Sequence, residues 1–263
     1  MILTGGAGGL FSGLTGVGGG ALMVPLMTGA LKMRQHAAHG TSLVVIIFAA
    51  AAGTATYVAQ GSIDWGLVAS LAAGSAAGSY AGARFVHRVP ADRLRQLFGL
   101  FLVTVGLRLI LFHDVEPLLS ASGLVERSVG AGIGLAGGLC AGALGVGGGA
   151  IFVPGLVILL GMDQHQAQGA SLAVIVLTAI VGALTHHHHG AVDGRVAKWV
   201  VPTAVPAGIA GGFAASALDA AVLQRIFAIV ILVVGAQATA SATRAIRSAA
   251  RLAPPAHAEV RGA

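Results

Sequence analysis

Charge is scarce in this chain. Asp, Glu, Lys and Arg make up 9% of its 263 residues, where soluble domains carry about 25%. Hydrophobic residues reach 56% and mean hydropathy is +0.88. The composition excludes an ordinary soluble domain and specifies an integral membrane protein. Cysteine is almost absent. Cys140 alone cannot build an intramolecular disulfide framework, and it reads as packing rather than as a redox centre. The fifteen Lys and Arg residues outnumber the nine Asp and Glu residues, leaving a net charge of +6. They gather at the ends of apolar segments, which assigns them to membrane topology and argues against a nucleic-acid footprint. The apolar segments also lack paired carboxylates, a nucleophile motif and a metal-ligand cluster, so nothing points to an enzyme or to a cofactor.

What the chain has is long hydrophobic runs. Apolar stretches cover 40–60, 67–86, 94–112, 169–184, 196–218 and 223–240, each near the roughly 20 residues that a helix needs to cross a hydrocarbon core. Barrel strands would be about 10 residues long and would alternate in polarity. These runs predict helices. Lys32 and Arg34 lie too far in for a cleavable signal, so the start of the chain reads as part of the fold.

The chain is also a duplication. GVGGGALMVP at 16–25 returns as GVGGGAIFVP at 145–154, 129 positions later. In that register the segment 9–46 gives 21 identities in 38 positions without a gap. Gly61, Asp64, Gly82, Phe98 and Gly106 recur as Gly190, Asp193, Gly211, Phe227 and Gly235.

Gly16, Gly18, Gly19 and Gly20 split the apolar block 1–31 into arms of roughly 11 to 15 residues, each reaching only ~20 Å of a ~30 Å core. That arithmetic predicts a hairpin that enters the membrane and returns. The segment 130–160, broken at 145–149, repeats it. If each block crossed once, the basic residues would divide almost evenly between the two faces. If each returns, every half crosses three times, and Lys32, Arg34, Arg84, Arg88, Arg93, Arg95, Arg195, Lys198, Arg244, Arg247, Arg251 and Arg261 share one face. Only Arg108, Arg127 and Arg225 stay opposite. The positive-inside rule selects the second arrangement and puts both termini in the cytoplasm. Three crossings per half also invert one repeat relative to the other, as in many secondary transporters. The expected fold is an all-α polytopic membrane protein of two inverted repeats, each a Gly-rich re-entrant helical hairpin plus three transmembrane helices. The first repeat is 1–112, an extracytoplasmic linker 113–128, the second repeat 129–240, and a basic cytoplasmic tail 241–263 frays beyond about Arg244.

Each Gly-x-Gly-Gly-Gly segment is followed by a proline, and then by Gly40-Thr41-Ser42-Leu43 or Gly169-Ala170-Ser171-Leu172; GSIDW at 61–65 opens the next helix. These features resemble the TauE/SafE sulfite exporter family, also called the toluene sulfonate uptake permease family, over nearly the whole chain. The resemblance implies a secondary carrier in a bacterial inner membrane whose substrate is a small sulfur-containing anion. Sulfite, thiosulfate and organosulfonates such as sulfoacetate all fit it. Ala170 departs from the family pattern where the second copy has threonine, and so do the four histidines at 186–189. The two halves need not contribute equally to a site.

Neutral donors suit an oxyanion inside a membrane better than an unpaired Lys or Arg, which is expensive to bury and grips too tightly. A broken helix supplies such donors. Its second arm presents unsatisfied N–H groups and the positive end of its dipole, and glycine lets the anion approach the backbone. Gly18, Gly19 and Gly20 with Gly147, Gly148 and Gly149 are therefore the first substrate-binding candidates. Tight helix packing is the competing reading, but a packing stripe would space small residues by four, and these are contiguous. Ser42 and Ser171 match across the repeat, with Thr41 beside the first only; their hydroxyls either donate to substrate or bond the preceding turn. Gln35 and Gln164 add amide donors at the hairpin mouths. His36 and His165 beside them are either interfacial groups or proton carriers, and Arg108 near the outer helix end either snorkels or draws anions to the entrance.

The histidine run reads as a loop or helix-end patch. His186 and His189 are its one pair with helical metal-ligand spacing, and they carry the alternative function, a His-dependent transition-metal cation carrier or channel. Asp64 and Asp193 occupy repeat-equivalent turns and are expected to cap the following helices. Gly74, Gly78 and Gly82 form a four-residue ladder echoed by Ala204, Gly208 and Gly212, and the pattern predicts close helix contact. Expected partners are the sulfur anion and the lipid bilayer, with no nucleic acid and with a homodimer allowed for.

Overall fold

The computed structural model describes residues 1–61, 63–85, 90–111, 122–144, 148–188 and 190–252. Regular structure among them is entirely helical. Five helices come from each half: α1 (Ile2–Thr15), α2 (Gly20–Gly29), α3 (Gln35–Ala59), α4 (Trp65–Phe85) and α5 (Ala91–Leu111), then α6 (Leu124–Leu144), α7 (Gly149–Leu160), α8 (Gln164–His188), α9 (Gly194–Ser216) and α10 (Ala220–Leu252). The 129-residue register carries the starts of α2, α3, α4 and α5 onto those of α7, α8, α9 and α10, so the duplication extends to element boundaries.

Among the described residues five segments are long and apolar enough to cross a membrane, Gln35–Ala59, Asp92–Leu111, Gln164–His188, Gly194–Ser216 and Ala220–Ser248, while α2 and α7 are shorter apolar helices. The run expected to span at 67–86 forms α4 but is not among the five. Gly74, Ser75, Gly78, Ser79 and Gly82 dilute its hydropathy, and they serve packing instead. Two ends also differ from expectation. The arm before the second glycine break is the 21-residue α6, because 124–130 join the helix, and α10 runs on to Leu252, past the point where fraying was expected. Its last turns are rich in Ala and Arg, strong helix formers.

Repeat mates pack on each other antiparallel. At one end of the α3–α8 pair Gly40 lies beside His186, and at the other Gly169 lies beside Tyr57. Halfway along, the mates Ile46 and Ile175 both touch Gly18. The α5–α10 pair repeats the arrangement, with Gly99 against the Gly235 carbonyl and Gly106 against the Ala228 carbonyl. Two helices are exchanged between halves, α1 packing along α9 and α6 along α4, while α2 packs on α1 and α3 and α7 on α6 and α8.

Small residues make that exchange close. Gly5, Gly9 and Gly13 of α1 lie on the carbonyls of Val200, Ala204 and Gly208, and their mates Gly134, Gly138 and Gly142 lie on those of Leu71, Ser75 and Ser79. Gly74, Gly78 and Gly82 answer from α4 against Ala131, Leu135 and Leu139. Apolar side chains gain little by leaving lipid for one another, so this interdigitation of backbones supplies the association. The echo at Ala204, Gly208 and Gly212 is one residue off the repeat register. Gly208 and Gly212 turn to Ala49 and Thr56 of α3.

Caps and cross-links then sort the helix ends. Asp64 Oδ1 accepts from Gly66 N at 2.7 Å and Leu67 N at 3.1 Å, and Asp193 Oδ1 accepts from Arg195 N at 3.0 Å and Val196 N at 3.2 Å, as expected of N-caps. Gln96 Nε2 donates to Thr243 Oγ1 at 3.1 Å, and the start of α9 is pinned where Asp193 N donates to Thr41 Oγ1 at 2.9 Å. These contacts gather Arg34, Arg95, Arg195 and Arg244 at one end of the bundle. At the other, Gln224 Nε2 donates to Leu109 O at 3.3 Å and the Arg127 guanidinium lies beside Gly66 and Asp64.

Candidate functional site at the glycine breaks

Between α1 and α2 the backbone turns through Gly16, Gly18 and Gly19, at φ of 70°, 88° and 73°. Any side chain in this left-handed region is strained, so three such positions in four residues require glycine. The turn folds α2 back on α1. A Cβ on Gly8 would meet Met23, and one on Gly19 would lie 2.6 Å from the Gly8 carbonyl oxygen.

The second break comes to the same place. A Cβ on Gly149, the first residue of α7, would sit 2.9 Å from the Gly16 carbonyl oxygen, 2.9 Å from Val17 Cα and 2.8 Å from Ile175 Cδ1. Neither α2 nor α7 has a side-chain cap. Two helix N-termini with uncapped donors therefore converge halfway along the α3–α8 crossing. The breaks are not copies. Gly148 precedes α7 at φ −81°, whereas Gly19, its mate, is left-handed. Gly147 lies outside the described residues, as do Gly145 and Val146.

Among the matched hydroxyls, Ser171 Oγ donates to the Gly16 carbonyl at 2.8 Å and clamps the first turn, while Ser42 Oγ donates to His39 O at 2.9 Å within its own helix. Thr41 holds the start of α9. Gln164 is 2% exposed, and neither atom of its amide has a partner among the described residues; its mate Gln35 is exposed. The His165 ring joins Asp163 Oδ1 at 3.0 Å to the carbonyls of Ala215 at 3.1 Å and Leu218 at 3.2 Å, tying α8 to the end of α9, and His36 is exposed. Arg108 is half-buried in the last turn of α5. His186 lies near the end of α8 beside Gly40, and His189 lies outside the described residues.

Three residues at the break escaped the sequence reading. Tyr57 Oη donates to Gln168 Oε1 at 2.7 Å and approaches the Gly13 carbonyl at 3.2 Å; both side chains are fully buried. Ser12 is buried beside Gly19. Gln168 carried a signal, because Gln164, Gln168 and Ser171 follow the i, i+4, i+7 spacing of one helix face. Tyr57 carried none, since only the α3–α8 crossing brings it there.

Comparison with known proteins points to membrane transporters. A family described as "Sulfite exporter TauE/SafE" matches residues 1–109 and 130–261. The chain is 28% identical over 229 residues to the probable membrane transporter protein YunE of Bacillus subtilis, covering 78% of this chain and 83% of that one. It is 27% identical over 242 residues to a probable membrane transporter protein of Xylella fastidiosa, covering 89% and 93%. A third relative, the probable membrane transporter protein YjnA of Bacillus subtilis, is 28% identical over 247 residues, covering 89% and 97%. No solved structure matches the chain.

Proposed function

Because this chain belongs to the TauE/SafE sulfite exporter family, we propose that it is a secondary transporter that carries a small sulfur oxyanion or organosulfonate across the bacterial inner membrane by alternating access. The observation that carries this reading is the meeting of Gly149 with Gly16 and Val17, which aims two uncapped helix N-termini at one central point. Backbone N–H groups and helix dipoles there attract an anion without a buried cation to trap it.

The antiparallel packing of the mates α3 with α8 and α5 with α10 supports a pair of inverted repeats, and the return of α2 along α1 supports re-entrant hairpins. In this reading the Arg-rich end of the bundle faces the cytoplasm, with both termini. Gly18, Gly19, Gly20, Gly148 and Gly149 line the anion, and Ser171 holds the turn. Since α1 and α6 pack on the opposite halves, the repeats 1–112 and 129–240 form one transport unit.

The test is counterflow. Proteoliposomes of the full chain are preloaded with unlabelled sulfite and given radiolabelled sulfite, with thiosulfate and sulfoacetate as competitors. Accumulation of label supports a carrier, and the strongest competitor identifies its preferred anion. Absence of exchange with all three withdraws the sulfur-anion reading. Gly19→Val, forced into a left-handed conformation against the Gly8 carbonyl, is expected to abolish exchange.

A further inference from the structure

Three of the polar groups around the first glycine break, Ser12, Tyr57 and Gln168, are replaced by other residues at their repeat mates. Along the buried face of α8 stand Gln164, Gln168 and Ser171, and then Ile175, which touches both Gly18 and Gly149. The face thus leads from the start of α8 to the point where the two helix N-termini meet. Its hydrogen bonding is incomplete. Ser171 is satisfied by Gly16, but the Gln168 Nε2 and the whole Gln164 amide have no partner among the described residues. Beside Gly19 of the turn, Ser12 Oγ is also buried and without a partner among the described residues.

Such groups are expensive in an apolar interior, where each lost hydrogen bond is felt in full. Tyr57 Oη holds the Gln168 amide at its Oε1, 2.7 Å away, and lies 3.2 Å from the Gly13 carbonyl, while Gln168 Nε2 keeps no partner among the described residues. An anion takes donors only.

Resting on the sulfur-anion reading above, we infer that Gln168, oriented by Tyr57 and flanked by Gln164 and Ser12, is the side-chain donor set that binds the transported oxyanion at the first glycine break. The repeat mates differ in chemistry: His39 stands for Gln168, His186 for Tyr57 and Ala141 for Ser12. The site is therefore one-sided despite the duplication. Recognition by neutral amide and hydroxyl donors favours a small, strongly hydrogen-bonding oxyanion over a halide of equal charge.

The experiment is sulfite counterflow by the full chain in proteoliposomes, with thermal unfolding of the same preparations. For Gln168→Leu the expected result is a rise of about tenfold or more in KM for sulfite, with an unfolding temperature close to that of the unaltered protein, since removal of the unpartnered Nε2 offsets loss of the hydrogen bond from Tyr57. Tyr57→Phe, a positioning change, should raise KM less and leave kcat nearly unchanged. An unaltered KM in Gln168→Leu overturns the inference, as does a fall in kcat alone. Should Gln168→Leu fail to fold, Gln168→Asn retracts the amide by one methylene; a raised KM then supports the assignment and an unchanged one overturns it. If the unaltered chain does not exchange sulfite, the variants are compared with thiosulfate and sulfoacetate. Exchange of none of the three overturns both readings, whereas exchange unaffected by the variants overturns only the donor set.

Discussion

Ser171 donates its hydroxyl to the Gly16 carbonyl at 2.8 Å, joining residues 155 positions apart. The turn between α1 and α2 is thereby fastened to α8 of the other half. Its mate Ser42 bonds only within α3. Ser171→Ala is therefore expected to destabilise the purified protein by about 1 kcal/mol, read as a lower unfolding temperature, and to slow transport by loosening the turn. Ser42→Ala should leave both nearly unchanged. Equal effects from the two variants would show that the matched serines act alike, against the asymmetry seen here.

A second expectation concerns glycines that differ only in what surrounds them. A Cβ at Gly78 or Gly138 would land on the carbonyl of Leu135 or Ser75, and neither backbone has room to yield. Gly78→Val and Gly138→Val should separate α4 from α6, at a cost above about 3 kcal/mol, and remove the folded monodisperse peak in size-exclusion chromatography. Gly6 and Gly132 have nothing within 4 Å of an added Cβ. Alanine at either should stabilise its helix by about 0.5–1 kcal/mol. Loss of the folded peak in Gly132→Ala would contradict the packing described.

The contrast between Gly78 and Gly132 also marks how far the sequence could be read. The 129-residue register located the repeat, both breaks, the Asp64 and Asp193 caps and the close-contact role of Gly74, Gly78 and Gly82, because each is a local pattern in a duplicated chain. Which helix receives the ladder was not legible. The spacing that packs Gly78 on α6 would equally have packed it on α3, and the choice follows from the exchange of α1 and α6 between the halves. Tyr57 and Gln168 were hidden for a related reason: they lie 111 positions apart and are not repeat mates, so the register does not pair them.

Thr41 offers a test of position. Its Oγ1 accepts from Asp193 N at 2.9 Å, at the end of α3 away from the crossing with Gly18. Thr41→Val leaves a backbone N–H without its acceptor and should lower stability by about 1–2 kcal/mol, with KM for the transported anion unchanged. Thr41→Ser, which keeps the acceptor, should restore the unfolding temperature. A raised KM at unaltered stability would move Thr41 into the substrate path.

The inverted arrangement can be tested at one pair of mates. Arg34 and Asp163 occupy equivalent positions, each just before the long helix that follows a glycine break, and both are exposed. In parallel repeats the two would face the same side of the membrane. The antiparallel contacts of α3 with α8 carry them to opposite ends of the bundle, Arg34 with the Arg-rich end and Asp163 with Asp64 and Arg127. Single cysteines at the two positions, in a Cys140→Ala background so that no other thiol is present, are treated in intact cells with a membrane-impermeant maleimide. Asp163→Cys should label without permeabilisation, and Arg34→Cys only after it. The opposite labelling would preserve the inverted repeats but reverse their orientation and set aside the positive-inside assignment. Labelling of both from the same side would require an even number of crossings between the mates, and the inverted-repeat reading would fall with it.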